Sequence, residues 1–166
     1  MQRRSFSDTT LCPIARSLDR VGEWWSILIL RDAFIGMTRF DQFQKSLKIA
    51  PNMLTRRLNG LVESGLLEKR LYNERPPRYE YILTERGRDF RPVLFALLTW
   101  GNKHFAPEGK AVVVIDEKTG ATVDAQMMDP ASGLNLADPR FHTAPGPAAN
   151  ESIKTRYASA KPAART

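Results

Sequence analysis

Apolar residues recur at helical spacing in four successive blocks of this chain before giving way to alternation. Ile14, Leu18 and Val21 mark a short helix over Pro13 to Val21, closed by Gly22. Trp24 to Phe34 is apolar nearly all round, as expected of a helix buried at the centre of a small domain. After Gly36, Thr38 is placed to cap a third helix with Asp41 three residues on, and Phe40, Phe43 and Leu47 form its inner face. Pro51 to Ser64 then carries Leu54, Leu58, Leu61 and Val62 on one stripe. Pro51 suits the first helical turn, and Gly65 suits the end.

The period now changes. Leu67 to Tyr72 and Arg78 to Leu83 read as two strands around residues 73–77, with Tyr79, Tyr81 and Leu83 on one side of the second. Thr84 then caps a long helix from about Glu85 to His104, its stripe running through Phe90, Leu94, Leu97, Leu98 and Phe105, with a kink expected at Pro92. Three helices already fill a small core, so this apolar helix needs another cover. A second copy of the chain, with help from the Pro13 to Val21 helix, supplies it. Beyond Pro107, Ala111 to Asp116 and Ala121 to Met128 suggest a hairpin turning at Gly120. Residues 129–150 read as extended loop and 151–166 as a weak helix or frayed basic tail. The expected fold is α+β: a winged helix-turn-helix DNA-binding domain with a long dimerisation helix over 1–105, then a C-terminal β-hairpin extension with a flexible tail over 106–166.

A chain of 166 residues with 42% hydrophobic content can bury one core. The longest apolar runs, near Ile27 to Leu30 and Ala111 to Ile115, fall far short of the roughly 18–20 residues that a membrane span requires. Residues 1–10 lack a hydrophobic signal core, so a cytoplasmic location is expected. The net charge is +7, and 17 Lys and Arg against 11 Asp and Glu up to Pro92 place +6 of it in the first domain. That excess suits any polyanion, and the fold must choose among nucleic acid, anionic membrane and acidic protein.

Candidate chemistry concentrates opposite the leucines. Asn52, Thr55, Arg56 and Asn59 cluster there at about 100° per residue, giving amide, hydroxyl and guanidinium groups suited to base edges in a major groove. A solvated helix face would look the same taken alone. Arg57 has a phase nearer the leucine stripe, so its stem is expected on the core and its head on a phosphate or a carboxylate such as Glu63. Arg75 and Arg78 flank prolines that stiffen the hairpin tip, which aims them at a DNA backbone or at water. Arg39 is a further phosphate candidate, with a plain surface charge as its alternative. Together these residues describe a helix in the groove and a basic wing beside it, with double-stranded DNA as the partner. A winged helix that docks an acidic protein is the rival reading.

Cys12 is the sole cysteine, which excludes an intrachain disulfide and a multi-thiolate metal site. Pro13 puts it at a helix N-cap, where the dipole favours thiolate; a small buried residue at a dimer contact is the alternative. Trp24, Trp25 and Trp100 read as core and interface mass, although a small aromatic effector could lodge between them. His104 and His142 lack ligand-spaced companions, so no metal or other cofactor is expected. No acid and base pair or phosphate-binding glycine loop points to an enzyme.

Several runs are familiar together. Cys12-Pro13-Ile14-Ala15-Arg16-Ser17-Leu18-Asp19, Gly22, Trp25 and Leu28-Ile29-Leu30-Arg31-Asp32 are followed by Arg39-Phe40-Asp41-Gln42-Phe43 and Ile49-Ala50-Pro51-Asn52-Met53-Leu54. Arg57-Leu58, Leu61-Val62-Glu63, Gly65-Leu66-Leu67, Tyr72, Tyr79-Glu80-Tyr81-Ile82-Leu83-Thr84, Gly87 and Trp100-Gly101 complete the set. This series, over about Cys12 to His104, resembles the HxlR-type winged-helix transcription regulators, relatives of the MarR group. The resemblance implies a homodimer on a pseudo-palindromic operator that represses or activates neighbouring genes. It also implies that Cys12 could sense oxidants or electrophiles, through an intersubunit disulfide in some relatives. The segment from Pro107 onward carries no function over from the family.

Overall fold

The structure is a computed structural model and describes residues 11–159. The expectations for residues 1–10 and for the tail at 160–166 lie outside the described residues. Helices α1 (Pro13–Val21), α2 (Trp24–Phe34), α3 (Phe40–Leu47) and α4 (Pro51–Glu63) come first. Strands β1 (Leu67–Glu74) and β2 (Pro77–Leu83) follow, then α5 (Glu85–Arg88) and α6 (Arg91–His104). Short strands β3 (Val114–Ile115) and β4 (Thr122–Val123) and helix α7 (Glu151–Ser159) complete the described chain.

Alpha2 is apolar over most of its surface because α1, α3, α4, β2 and α6 all pack against it, while Trp24 and Arg31 are left exposed. Ile29 and Leu30 from α2, Phe43 from α3, Leu54, Leu58 and Leu61 from α4 and Leu67 from β1 form a core at 1% exposure or less. Asp32 is buried with them, its Oδ1 accepting from Arg31 Nε at 2.9 Å. The expected cap of α3 is corrected. Arg39, not Thr38, is the N-cap, and Gln42 Oε1 rather than Asp41 accepts from the N–H groups of Thr38 and Arg39 at 3.0 and 2.9 Å. The backbone at Arg39 is extended and held beside β2, where the Tyr81 N–H donates to the Thr38 carbonyl at 2.7 Å and Arg39 bridges Glu80.

Pro51 starts α4, and Gly65 ends it with φ at +68°, a conformation that costs a side-chain-bearing residue strain. The N–H of Leu66 reaches the Leu61 carbonyl and that of Gly65 the Val62 carbonyl, both at 2.9 Å, so the last carbonyls are satisfied. This turn delivers Leu67 into the core and launches the hairpin. Beta1 and β2 pair antiparallel from Leu67 with Leu83 to Glu74 with Pro77, longer than the strands expected, and close through a cis Arg75–Pro76 peptide bond. Only the base of the hairpin is covered. Tyr81 is buried, whereas Leu71, Tyr72 and Tyr79 are exposed because the strands run past the core.

The single kinked helix expected over 85–104 is instead two. Alpha5 ends at Arg88 and α6 begins at Arg91, which places Pro92 in a first turn where its missing N–H leaves no carbonyl unpaired. The strands expected at 111–116 and 121–128 shrink to two residues each, Val114 with Val123 and Ile115 with Thr122. Nothing packs over that ribbon among the described residues to reward a longer pairing: Val112, Ile115 and Val123 are exposed. A further turn sits inside the stretch expected to be loop. Asp129 accepts from the Ser132 hydroxyl and N–H at 2.6 and 2.9 Å, and Met128 bridges Asn135. No helix among the described residues is long and apolar enough to cross a membrane.

Candidate nucleic-acid interface

Burying Leu54, Leu58 and Leu61 turns the opposite side of α4 outward, and Asn52, Thr55, Arg56 and Asn59 are all exposed there. Two of the four are partly committed. Asn52 Oδ1 accepts from the Met53 N–H at 2.7 Å, and the Thr55 hydroxyl donates to the Pro51 carbonyl at 2.9 Å. Asn52 therefore offers its amide N–H groups and Thr55 its oxygen lone pair, a donor and an acceptor one turn apart. Arg56 follows on the same exposed side.

Arg57 is turned the other way and separates from this set. It is 9% exposed, and its Nη2 pairs with Glu23 Oε2 at 2.8 Å, not with Glu63. Glu23 is the N-cap of α2, so the ion pair pins α4 to the α1–α2 junction. Its stem lies on the core and its head on a carboxylate, as one of the two expectations had it, with Glu23 in the place expected of Glu63, so Arg57 is a strut behind the polar face. The sequence held no signal for this partner, which only the packing of α2 on α4 brings near.

The wing carries more than its two expected arginines. Arg75 and Arg78 are exposed at the tip, where Asn73 Nδ2 donates to the Pro76 carbonyl at 2.8 Å and braces the turn. Arg39 does not hang free at the start of α3. Its guanidinium lies over the Tyr72 ring, 4.8 Å from the centroid, and Lys69 lies 4.1 Å from the Tyr79 centroid. Sequence reading gave Tyr72 and Lys69 no place beside these charges, because alternation gives the face of a residue and not its neighbour. Arg70 is neutralised by Glu80 at 2.8 Å, an exposed pair that leaves less positive charge on that edge.

Cys12 sits at the N-cap of α1 and is half-buried. The N–H of Ala15, aimed at the sulfur, is the largest influence holding its thiol below the ordinary pKa. Partial desolvation opposes this, while the N–H of Ile14 and the charge of Arg156 in α7 assist. Among the described residues no group of three His, Cys, Asp or Glu side chains is placed to hold a metal ion.

A trihelical core, a final helix with a polar outward face and a two-stranded wing beside it define a winged helix-turn-helix protein. Residues 20–109 match the model of the HxlR-like helix-turn-helix family, more than half of the chain, and the chain belongs to that family of transcriptional regulators. It is 36% identical over 135 residues to an HTH-type transcriptional regulator of Mycobacterium tuberculosis, covering 81% of this chain and 85% of that protein. It is also similar to the structure of a candidate transcription factor from Pseudomonas aeruginosa, with 53% identity and a TM-score of 0.63 over 87% of this chain and 99% of that one. The redox regulator HypR in its oxidised form matches with 32% identity and a TM-score of 0.52, over 56% of this chain and 97% of HypR.

Proposed function

We propose that the protein is a homodimeric, sequence-specific DNA-binding repressor whose two α4 helices enter successive major grooves of one operator. The observation that carries this reading is the exposed set Asn52, Thr55, Arg56 and Asn59, framed by Arg39 and by the wing arginines Arg75 and Arg78. In this arrangement Arg39, Arg75 and Arg78 hold phosphates and set the register, while the α4 face chooses the sequence. Pairing is supported by apolar surface that one chain leaves open. Ile14 and Leu18 of α1 and Val93, Leu97 and Trp100 of α6 are 43–68% exposed, and α6 has no fully buried residue. A two-fold pair would place the α4 helices about 34–36 Å apart, one turn of duplex. A repressor needs no further machinery, since a dimer seated across a promoter excludes polymerase.

The test is to select duplexes from fragmented genomic DNA with the purified chain, then titrate the enriched sequence and its scrambled version at one salt concentration. Two chains per duplex and at least about a thousandfold preference for the enriched sequence are expected. One chain per duplex, or equal affinity for both sequences, would sink the reading and favour a protein-interaction module.

A thiol-sensing role for Cys12 is a second reading, favoured by the lowered pKa and by the likeness to HypR. Its alkylation rate should rise with pH through a midpoint below the ordinary thiol value, and Cys12→Ser should abolish any crosslinked band on non-reducing gels after mild oxidant. A thiol no more reactive than free cysteine at neutral pH removes this role.

A further inference from the structure

Helix α6 presents three faces, and only two are accounted for. Phe90 at its N-cap and Leu94 pack against the core, while Val93, Leu97 and Trp100 form the exposed apolar side. At about 100° per residue, Arg91 and Phe95 lie roughly opposite Val93, Leu97 and Trp100, while Pro92 and Ala96 lie between those two sides. There residues 125–127 of the extension come against the helix and, with it, line a half-open cavity of about 290 Å³.

Pro92, Phe95 and Ala96 make one apolar wall, Met127 faces them, and Arg91 and Gln126 supply the polar groups; no acidic side chain is among the lining residues. The Arg91 guanidinium lies 5.1 Å from the Phe95 ring centroid, so the ring holds the charge beside the apolar wall. The facing wall is braced rather than loose. The Leu136 N–H donates to the Met127 carbonyl at 2.8 Å, and Asn135 Nδ2 donates to Gln126 Oε1 at 2.9 Å, which leaves the Gln126 amide N–H groups as donors. Lys110 pairs with Asp124 at 2.9 Å across the extension, and Asn102 of α6 donates to the Val112 carbonyl at 2.9 Å, tying the extension to the helix.

We propose that this cavity is a binding site for a small monocarboxylate whose apolar body is one ring or about six carbons. The volume lies at the low end of the roughly 300–1,000 Å³ typical of ligand pockets, which limits the ligand to that size. The guanidinium pairs with the carboxylate, the Gln126 amide donates a second hydrogen bond, and Phe95, Pro92 and Met127 take the apolar body out of water. Arg91 and Phe95 face away from Val93, Leu97 and Trp100, so pairing of two chains through that side leaves the guanidinium open to a ligand. The proposal goes beyond the DNA reading, and its test contains no DNA, so either can fail alone.

The full chain, with methionine methyl groups labelled, is titrated with phenylacetate and with hexanoate and followed by NMR and calorimetry. Saturable binding with Kd of about 0.1–1 mM and a shift of the Met127 methyl signal are expected. Phenethylamine and 2-phenylethanol should bind at least about tenfold more weakly, for lack of the charge that Arg91 recognises. Arg91→Gln should weaken phenylacetate about tenfold and leave 2-phenylethanol unchanged, and Met127→Trp, which fills the space, should abolish binding of both. No saturation by either acid, equal binding of the amine, or indifference to both substitutions overturns the proposal.

Discussion

Arg56→Ala is expected to weaken binding to the selected operator by about 1 to 3 kcal/mol, roughly 5- to 150-fold, with little change on scrambled duplex. The reason is the position of the side chain. Arg56 is exposed on the α4 face opposite the leucines, and no ion pair to it is found among the described residues, so its guanidinium is available for a bidentate contact such as guanine O6 and N7. Asn52→Ala should act in the same sense but less, because Oδ1 is held by the Met53 N–H and only the amide donors face outward. Arg75→Ala provides the contrast. A wing-tip arginine on a phosphate should weaken all duplexes alike and reduce the slope of log affinity against log salt by about one. Titrations of the three variants against matched and scrambled duplexes at several salt concentrations measure all of this. If Arg56→Ala and Arg75→Ala lose the same factor on both sequences, the split between choosing and holding is wrong.

Gly87→Ala is expected to lower stability by about 3 kcal/mol or more, a fall in Tm on the order of 10 °C for a domain of this size. A Cβ at this buried position would lie 2.1 Å from the Leu66 carbonyl oxygen and 3.1 Å from a Leu83 methyl group. The backbone oxygen cannot yield without cost. Leu66 sits between the Schellman turn that ends α4 and β1, and its carbonyl accepts the Thr84 N–H at 3.2 Å. Thr84 is itself committed: its hydroxyl donates to the Gly65 carbonyl at 2.7 Å and accepts the Gly87 N–H at 3.0 Å. Moving α5 away to relieve the methyl would break that junction, where the end of α4, the hairpin and α5 meet. Thermal unfolding followed by circular dichroism tests this, and a Tm within a few degrees of the parent would show that α5 can shift freely.

Alpha1, α2 and the start of α4 were legible in the sequence because their signals are local. Pro13 and Pro51 preset the first turns, Gly65 supplies the left-handed stop, and the leucine spacing fixes which side of α4 is buried. The polar face was readable for the same reason. Where expectation and structure part, the deciding contact is distant in sequence. Gln42 rather than Asp41 caps α3 where Thr38 and Arg39 lie against β2; α5 is seated by the close approach of Gly87 to Leu66; and the ribbon after Pro107 stays short, with nothing packed over it among the described residues. Tyr79 shows the limit of alternation. It shares a face with Tyr81, yet one is buried and the other exposed, since the strand outruns the core.

The amino-acid order alone determined that this chain forms a helix with leucines on one side and Asn52, Thr55, Arg56 and Asn59 on the other, because backbone periodicity is a property of each segment. Tertiary structure decided what neighbouring arginines do: Arg57 is held by Glu23, Arg39 is laid on Tyr72, and Arg56 is left to solvent. Partners of long side chains are set by how elements pack against one another, and that geometry depends on the whole core at once.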